Sequence, residues 1–492
     1  MATERSVPMN RLSIQIRHDE RRVITRLFAF NKVHRLQEII DRVRSLSLQQ
    51  AEETYRDVLN SFEGRHRNLQ ETFRRNFRQV CELTGVQDGL SELHQLLMGS
   101  YFTMEYSLES TALFNPSIVP HPCQAGLTAG QLRFVMSLRA TGEGHVSSIV
   151  FRTGIIEGEQ RVRLDPPPQF PRATQLAPDQ TYLKHLFQRK LSEMSARMAT
   201  VDLVLDPLPD EFSFAALQGR IAEVQSECAA FGADQETIQA MLWLARSNYR
   251  LQLHKEAAIQ ELIIFPHTES ESRGIEDLRL VRFTDDGEVT YFGTYTAFDG
   301  FRTLPMLLET KDFRRVGIHT LNGACACDKG MALFPRRINN HYAMCSRLDG
   351  QNLYIMYSDM VHFWESAALL AKPLYPWELM LVGNCGSPIE TEQGWLLLTH
   401  GVGPMRRYSI GAMLLDIEDP TKVIGRLREP LLAPSENERE GYTPNVVYSC
   451  GSLLHKGRLY IPYAMSDRAT STVSVDPDEL INRLLESPPP GP

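Results

Sequence analysis

Gly274-Ile275-Glu276-Asp277-Leu278-Arg279-Leu280-Val281-Arg282-Phe283 sets two adjacent carboxylates at the mouth of a strand-like run. Like charges side by side repel, so the pair is an unusual local choice. A strand alternates its side chains between faces, so Glu276 and Asp277 are expected to point in opposite directions. One would face a pocket while the other braces the backbone or an arginine. The competing reading is a solvated acidic turn, the ordinary fate of an isolated Glu-Asp. Cys325, Cys327 and Cys345 invite a metal reading, but a one-residue gap is not zinc-finger spacing, and no metal is expected. Arg65, Arg67, Arg74, Arg75 and Arg78 suit either an anionic ligand or a solvated helix face, and the solvated face is the better reading.

The chain that must position these groups has 492 residues, enough for two or three units or one large repeat architecture. A net charge of −8 argues against a nucleic-acid partner, whose phosphates call for cations. Eight cysteines scattered through a long chain fit reduced thiols in a cytoplasmic protein better than a disulfide framework. Residues 1–22 carry no apolar targeting core, and no uncharged run reaches membrane-spanning length. The expectation is a soluble chain with no membrane partner.

Residues 1–100 read as a helical arm and a candidate subunit contact in a homo-oligomer. Leu36, Ile39, Ile40 and Val43 form one helical stripe, and Leu69, Phe73, Phe77 and Val80 another. Ser47 with Gln50 is a capping-box signature. From residue 101 to about 480, short β-branched and aromatic runs alternate with Gly, Pro, Asn and Asp turns, as in a sandwich, barrel or propeller. Between about 165 and 254, helical texture returns after Pro166-Pro167-Pro168, with apolar positions such as Ile221, Val224 and Cys228. This segment reads as an insertion in the β unit. Module lengths are too irregular for a standard repeat period, and the Pro-rich stretch 481–492 reads as a disordered tail.

Several ordered blocks together carry a resemblance. They are Glu276-Asp277-Leu278-Arg279-Leu280, Tyr295-Thr296-Ala297, Thr310-Lys311-Asp312-Phe313 and Asp328-Lys329-Gly330-Met331-Ala332-Leu333-Phe334-Pro335. Further along come Ser387-Pro388-Ile389-Glu390, Thr399-His400-Gly401, Leu414-Leu415-Asp416 and Gly441-Tyr442-Thr443-Pro444-Asn445. With them the chain resembles glycoside hydrolase family 130, the β-mannoside phosphorylases and their relatives. Leu278 stands where the family usually has Pro, and Gly330 where it usually has an acidic residue or Asn.

The resemblance implies a mainly β fold, a five-bladed β-propeller with the helical arm and insertion as additions. It implies an inverting phosphorylase that cleaves short β-mannosides, β-1,2-mannobiose or β-1,2-oligomannan first, to α-mannose 1-phosphate. Phosphate is then the nucleophile and co-substrate, no cofactor is needed, and one carboxyl suffices as the acid. By position Asp277 matches the general acid, and burial or a like-charged neighbour is expected to raise its pKa. Lys329, Arg347, His400, Arg302 and Tyr408 match the phosphate site, a cluster of cations and donors suited to a dianion. Asn115, Arg139, Glu276 and Asp467 match sugar-holding positions, with a turn-capping role as the alternative for Asp467. Cys325, Cys327 and Cys385 lie near these motifs with no chemistry assigned. The remaining alternatives are a β-1,2-mannoside hydrolase of the same fold, needing a second carboxylate for water, and a non-catalytic glycan-binding module.

Overall fold

The computed structural model describes residues 7–29, 32–86, 89–168, 170–171, 174–177, 180–227 and 234–486. Cys228 and tail residues 487–492 lie outside the described residues.

Five antiparallel sheets follow one another along the chain. The first is built on Ala112–Pro120, Leu132–Thr141 and Ser147–Gly158. The second runs through Gly274–Asp285, Glu288–Phe298, Thr303–Thr310 and Arg315–Thr320. A single parallel pairing, Gly274 with Ser147, joins these two. The third holds Ala332–Leu333, Tyr342–Ser346, Leu353–Ser358 and Ala367–Ala371. The fourth holds Leu381–Asn384, Gly394–Val402, Tyr408–Leu415 and Val423–Arg426. The fifth holds Val447–Tyr448, Arg458–Met465 and Ala469–Val475, and its outer strand is Met9–Arg17 from the other end of the chain.

That last pairing corrects the expectation of a helical arm over residues 1–100. Leu12, Ile14 and Ile16 alternate at period two, the signature of a half-buried strand. Leu12 and Ile16 are buried in the core between the fifth and first sheets. Val23–Leu27 is also a strand, paired with Thr103–Ser107. The helices begin only at Val33. From there the sequence stripes hold: Leu36, Ile40, Val43, Phe73, Phe77 and Val80 are buried together. The Ser47 hydroxyl and the Gln50 side chain make both capping-box bonds. The arginines nearby face acids, Arg65 donating to Glu105 at 2.8 Å and Arg74 to Glu92 at 2.5 Å.

Each pair of neighbouring sheets shares an apolar layer. Phe151, Leu280 and Ile318 lie between the first and second sheets, and Phe283, Leu333 and Met344 between the second and third. Ile355, Trp395 and Leu397 lie between the third and fourth, and Leu398, Ile461 and Val473 between the fourth and fifth. Tyr460, Phe134 and Met136 return from the fifth to the first. The segments that follow Leu381–Asn384 and Val447–Tyr448 approach closely enough to exclude a side chain. A Cβ on Gly386 would come within 2.4 Å of the Cys450 carbonyl oxygen, and Gly386 adopts φ +100°.

Helices Lys184–Glu193, Met198–Leu205, Phe214–Glu227 and Gln235–Ser247 pack around their own core of Phe187, Val204, Leu217, Met241 and Leu244. Tyr249–Gln252 then joins the edge of the second sheet. The stretch 481–492 is not all tail, because the helix Pro477–Leu485 buries Ile481 and Leu484 against the fourth and fifth sheets.

Candidate active site

Residues in left-handed backbone break the regular structure beside the candidate site. Asn115, Asp277 and Asp328 adopt left-handed backbone with φ of 49°, 57° and 58°, a conformation that Asn and Asp tolerate better than other L residues. Around Asp277 the pairing register slips between Glu276 and Arg279. This slip overturns the expectation that Glu276 and Asp277 point apart, because the left-handed residue cancels the strand's alternation. Both carboxylates meet the same guanidinium, Arg139 donating to Glu276 at 2.9 Å and to Asp277 at 3.4 Å. Asn115 donates its amide to Asp277 at 2.7 Å, and Lys329 donates to Glu276 at 2.5 Å.

Burial pushes the Asp277 carboxyl up, but Arg139, Arg279, the Asn115 hydrogen bond and Lys329 together hold it below the usual carboxylate range. The expected raised pKa of a general acid is therefore absent from the free protein, because the cations around it outweigh burial. The nearby carboxyl that does rise is Asp467, half-buried at the hairpin after Arg458–Met465, with φ 52°. Burial pushes it up to about 6, with the Asp277 charge adding to the effect and a Thr443 hydrogen bond, Arg139 and Arg406 opposing it.

A second group adjoins this one. His400, on the strand Gly394–Val402, is buried, with its ring over Gly383, where a Cβ would come within 2.6 Å of Cε1. Its Nδ1 lies 3.2 Å from the Asn384 carbonyl oxygen and its Nε2 lies 3.5 Å from an Arg347 nitrogen. Burial, Arg347 and Arg279 hold the imidazole well below its ordinary pKa. His400 is thus a neutral hydrogen-bonding group rather than one of the cations of the site. The Tyr408 ring stacks on His400 with centroids 6.1 Å apart, and the Tyr448 ring meets it edge-on at 4.9 Å.

Arg279, in the same block as Glu276 and Asp277, is an addition to the residues expected at the site. It is buried and donates to the Tyr448 hydroxyl at 2.5 Å. Its charge, with those of Arg139, Lys329 and Arg347, gives the site four cations. Nε of Arg279, Nε of Arg347, Oδ1 of Asn115 and Oδ1 of Asn384 are buried without a hydrogen-bond partner among the described residues. Four orphaned polar atoms in one place are what a site built for a polar ligand leaves behind. Cys385 and Cys450 flank Arg279, and burial pushes the Cys385 thiol up to about 12, so it stays neutral. A signal for these positions was present, since Cys-Gly-Ser recurs at 385–387 and 450–452.

Asn115, Arg139, Glu276, Asp277, Lys329 and Asp467 thus come together, as do Arg347, His400 and Tyr408. Arg302 does not join them. It is exposed at the tip between Glu288–Phe298 and Thr303–Thr310, where only its backbone is tied, its N–H donating to Asp299 at 2.7 Å.

Among characterised proteins, a 1,2-β-oligomannan phosphorylase of Thermoanaerobacter sp. (strain X514) is 38% identical over 208 residues, 41% of this chain and 67% of that protein. A β-1,2-mannobiose phosphorylase of Listeria innocua is 28% identical over 268 residues, 53% of this chain and 73% of that one. The solved structure of the Listeria innocua β-1,2-mannobiose phosphorylase with β-1,2-mannobiose aligns with 77% of this chain and 93% of its own, at 21% identity and a TM-score of 0.44. Residues 231–486 match the model of glycoside hydrolase family 130, described as β-1,4-mannooligosaccharide phosphorylase, and the chain belongs to that family.

Proposed function

We propose that this protein is an inverting phosphorylase of short β-mannosides, with a β-1,2-linked mannobiose or oligomannan as substrate. The observation that carries the reading is the convergence of Arg279, Lys329, Arg347 and neutral His400 beside Asp277, with orphaned donors among them. Arg279 and Arg347 each keep a buried nitrogen without an acceptor, and an incoming phosphate supplies one. A phosphate oxygen attacks C1 of the mannosyl unit and the glycosidic C–O bond breaks. Asp277 provides the proton that the leaving oxygen takes, directly or through a sugar hydroxyl, and α-mannose 1-phosphate results.

The depressed pKa of Asp277 fits this scheme if phosphate comes first. A dianion among the same cations offsets the field that holds Asp277 ionised, so the carboxyl gains its proton as the nucleophile arrives. Asn115, Arg139, Glu276 and Asp467 line the sugar side of the site, and Tyr408 backs His400.

The same reading makes the five sheets the blades of a five-bladed propeller. The apolar layers that run from sheet to sheet and back to the first support it. The catalytic unit is then about 101–480 together with the Met9–Arg17 strand, and the N-terminal helices offer a subunit contact in a homo-oligomer. The chemistry requires no cofactor. A cytoplasmic location accords with the free thiols of the described cysteines, and no helix among the described residues is long and apolar enough to cross a membrane.

The test is β-1,2-mannobiose incubated with and without inorganic phosphate. Phosphate-dependent release of mannose 1-phosphate is expected. Phosphate-independent release of mannose would instead favour a hydrolase, with Asp467 as the second carboxylate to examine.

A further inference from the structure

A cavity of about 530 Å³ lies between the helical insertion and the outer strands of the second sheet. None of the residues placed in the phosphate or sugar sites lines it. On its wall Glu309, His319 and His362 converge, with one potential ligand atom of each within 4.8 Å of the others.

The framework holding the three is regular. Glu309 pairs with Gly317 across adjacent strands, so Glu309 and His319 emerge from the same face of the second sheet. Gly317 makes room for the imidazole, since a Cβ there would come within 2.8 Å of His319 Nε2. His362 arrives from the third sheet, its carbonyl oxygen accepting from the Asn322 N–H at 2.9 Å. The two imidazole rings stand edge to face, 5.1 Å between centroids, and Glu309 Oε2 lies 3.9 Å from His319 Nε2. Neither imidazole nor the Glu309 carboxylate makes a hydrogen bond to another described residue. Their polar atoms are therefore left free to turn toward the cavity and toward one another.

We propose that Glu309, His319 and His362 bind a single transition-metal dication of the Zn2+ type. Two histidines and one glutamate are a donor set suited to zinc, leaving a fourth position open toward the cavity. Ligand atoms around a tetrahedral zinc stand about 3.4 Å apart, given metal–ligand distances of about 2.1 Å, so side-chain rotations that draw them in by about 1 Å complete the site. The basic groups around the cluster are Arg250, Lys311 and Lys190, the last pulled down to about 7 by burial. Lys190 is engaged by Asn248 Oδ1 and by the Thr320 carbonyl and hydroxyl, all at 3.0 Å, and Lys311 by Glu288 at 2.8 Å. Their repulsion disfavours ions held by charge alone, such as Mg2+, and leaves those with high affinity for imidazole. A bound ion would tie the third-sheet loop carrying His362 to the second sheet beside the insertion.

The experiment uses the full chain, stripped with a chelator and titrated with Co2+ and then with Zn2+. The expected result is one equivalent of Co2+ with the visible absorption of a tetrahedral site, displaced by Zn2+, and a higher unfolding midpoint with Zn2+ present. His319→Ala and His362→Ala should each weaken binding at least about tenfold, the scale on which even supporting groups act at metal sites. Glu309→Gln, which preserves size, should weaken it while leaving the metal-free unfolding midpoint unchanged. Failure to bind either ion, or binding undiminished in both histidine variants, overturns the proposal. Phosphorolysis is not the readout, so the result stands apart from the catalytic reading.

Discussion

Asp467→Asn isolates the cost of holding a carboxylate in the site. In the folded protein the Asp467 carboxyl is pushed from an ordinary 3.8 up to about 6, chiefly by burial and then by the Asp277 charge. Because the folded value lies above the unfolded one, the native state binds more protons between those values, and stability falls as pH rises through the window. A shift of about two units at 1.36 kcal/mol each gives a ceiling of about 3 kcal/mol at pH 8. Water reaching a half-buried carboxylate screens the charge and brings this to about 1–2 kcal/mol. Asparagine removes the charge at similar size, so the variant should be more stable than the parent at pH 8 by that amount. The advantage should shrink through pH 6 and largely vanish by about pH 4, where the parent's carboxyl is protonated. Thermal unfolding of both proteins across this range, without phosphate or sugar, measures the difference. A variant less stable than the parent at pH 8, or a gain independent of pH, would refute the reasoning.

Asp277→Asn should lower kcat by about 10²–10⁴, the usual contribution of a general acid, while mannoside affinity changes little; substantial residual turnover removes Asp277 from that role. Phosphate binding to the parent should take up protons near neutral pH, read by calorimetry in buffers of different ionisation enthalpy, and Asp277→Asn should abolish the uptake. Uptake that persists in the variant would separate phosphate binding from this carboxyl. Deleting residues 1–18 uncovers the edge of Ala469–Val475 and exposes the surfaces covered by Leu12 and Ile16, a loss of about 3–6 kcal/mol at about 1.5–3 per side chain. An unchanged unfolding midpoint and unchanged protease resistance would contradict the Met9–Arg17 pairing. Glu109→Gln disturbs a buried carboxylate held by Arg22 at 2.8 Å and Arg152 at 2.7 Å, and should destabilise by about 3–5 kcal/mol, as breaking a buried pair does, visible in urea unfolding.

Local patterns were legible in the chain itself. The stripes through Leu36 and Phe73, the Ser47–Gln50 capping box and the β texture after residue 101 depend on neighbours two to four places away, so local pattern reports them. The ordered blocks around Glu276-Asp277, Lys329 and His400 pointed to the family and to most of the residues that converge. The alternating Leu12, Ile14 and Ile16 marked a strand that helical texture further on obscured.

Tertiary structure decided what depends on distant partners. Met9–Arg17 is a strand of the fifth sheet because Ala469–Val475 offers it an edge, a pairing across almost the whole chain. Arg279 is buried against Tyr448 and Arg302 stays at a solvent-exposed tip, although both are arginines near a motif, because the strand Gly274–Asp285 is packed between neighbouring sheets and the tip is not. The charge states of Asp277, His400 and Asp467 followed from burial and from cations brought in by other sheets. Residue order establishes which groups are present. Their protonation is set by desolvation and Coulomb fields, and these exist only once the sheets have packed.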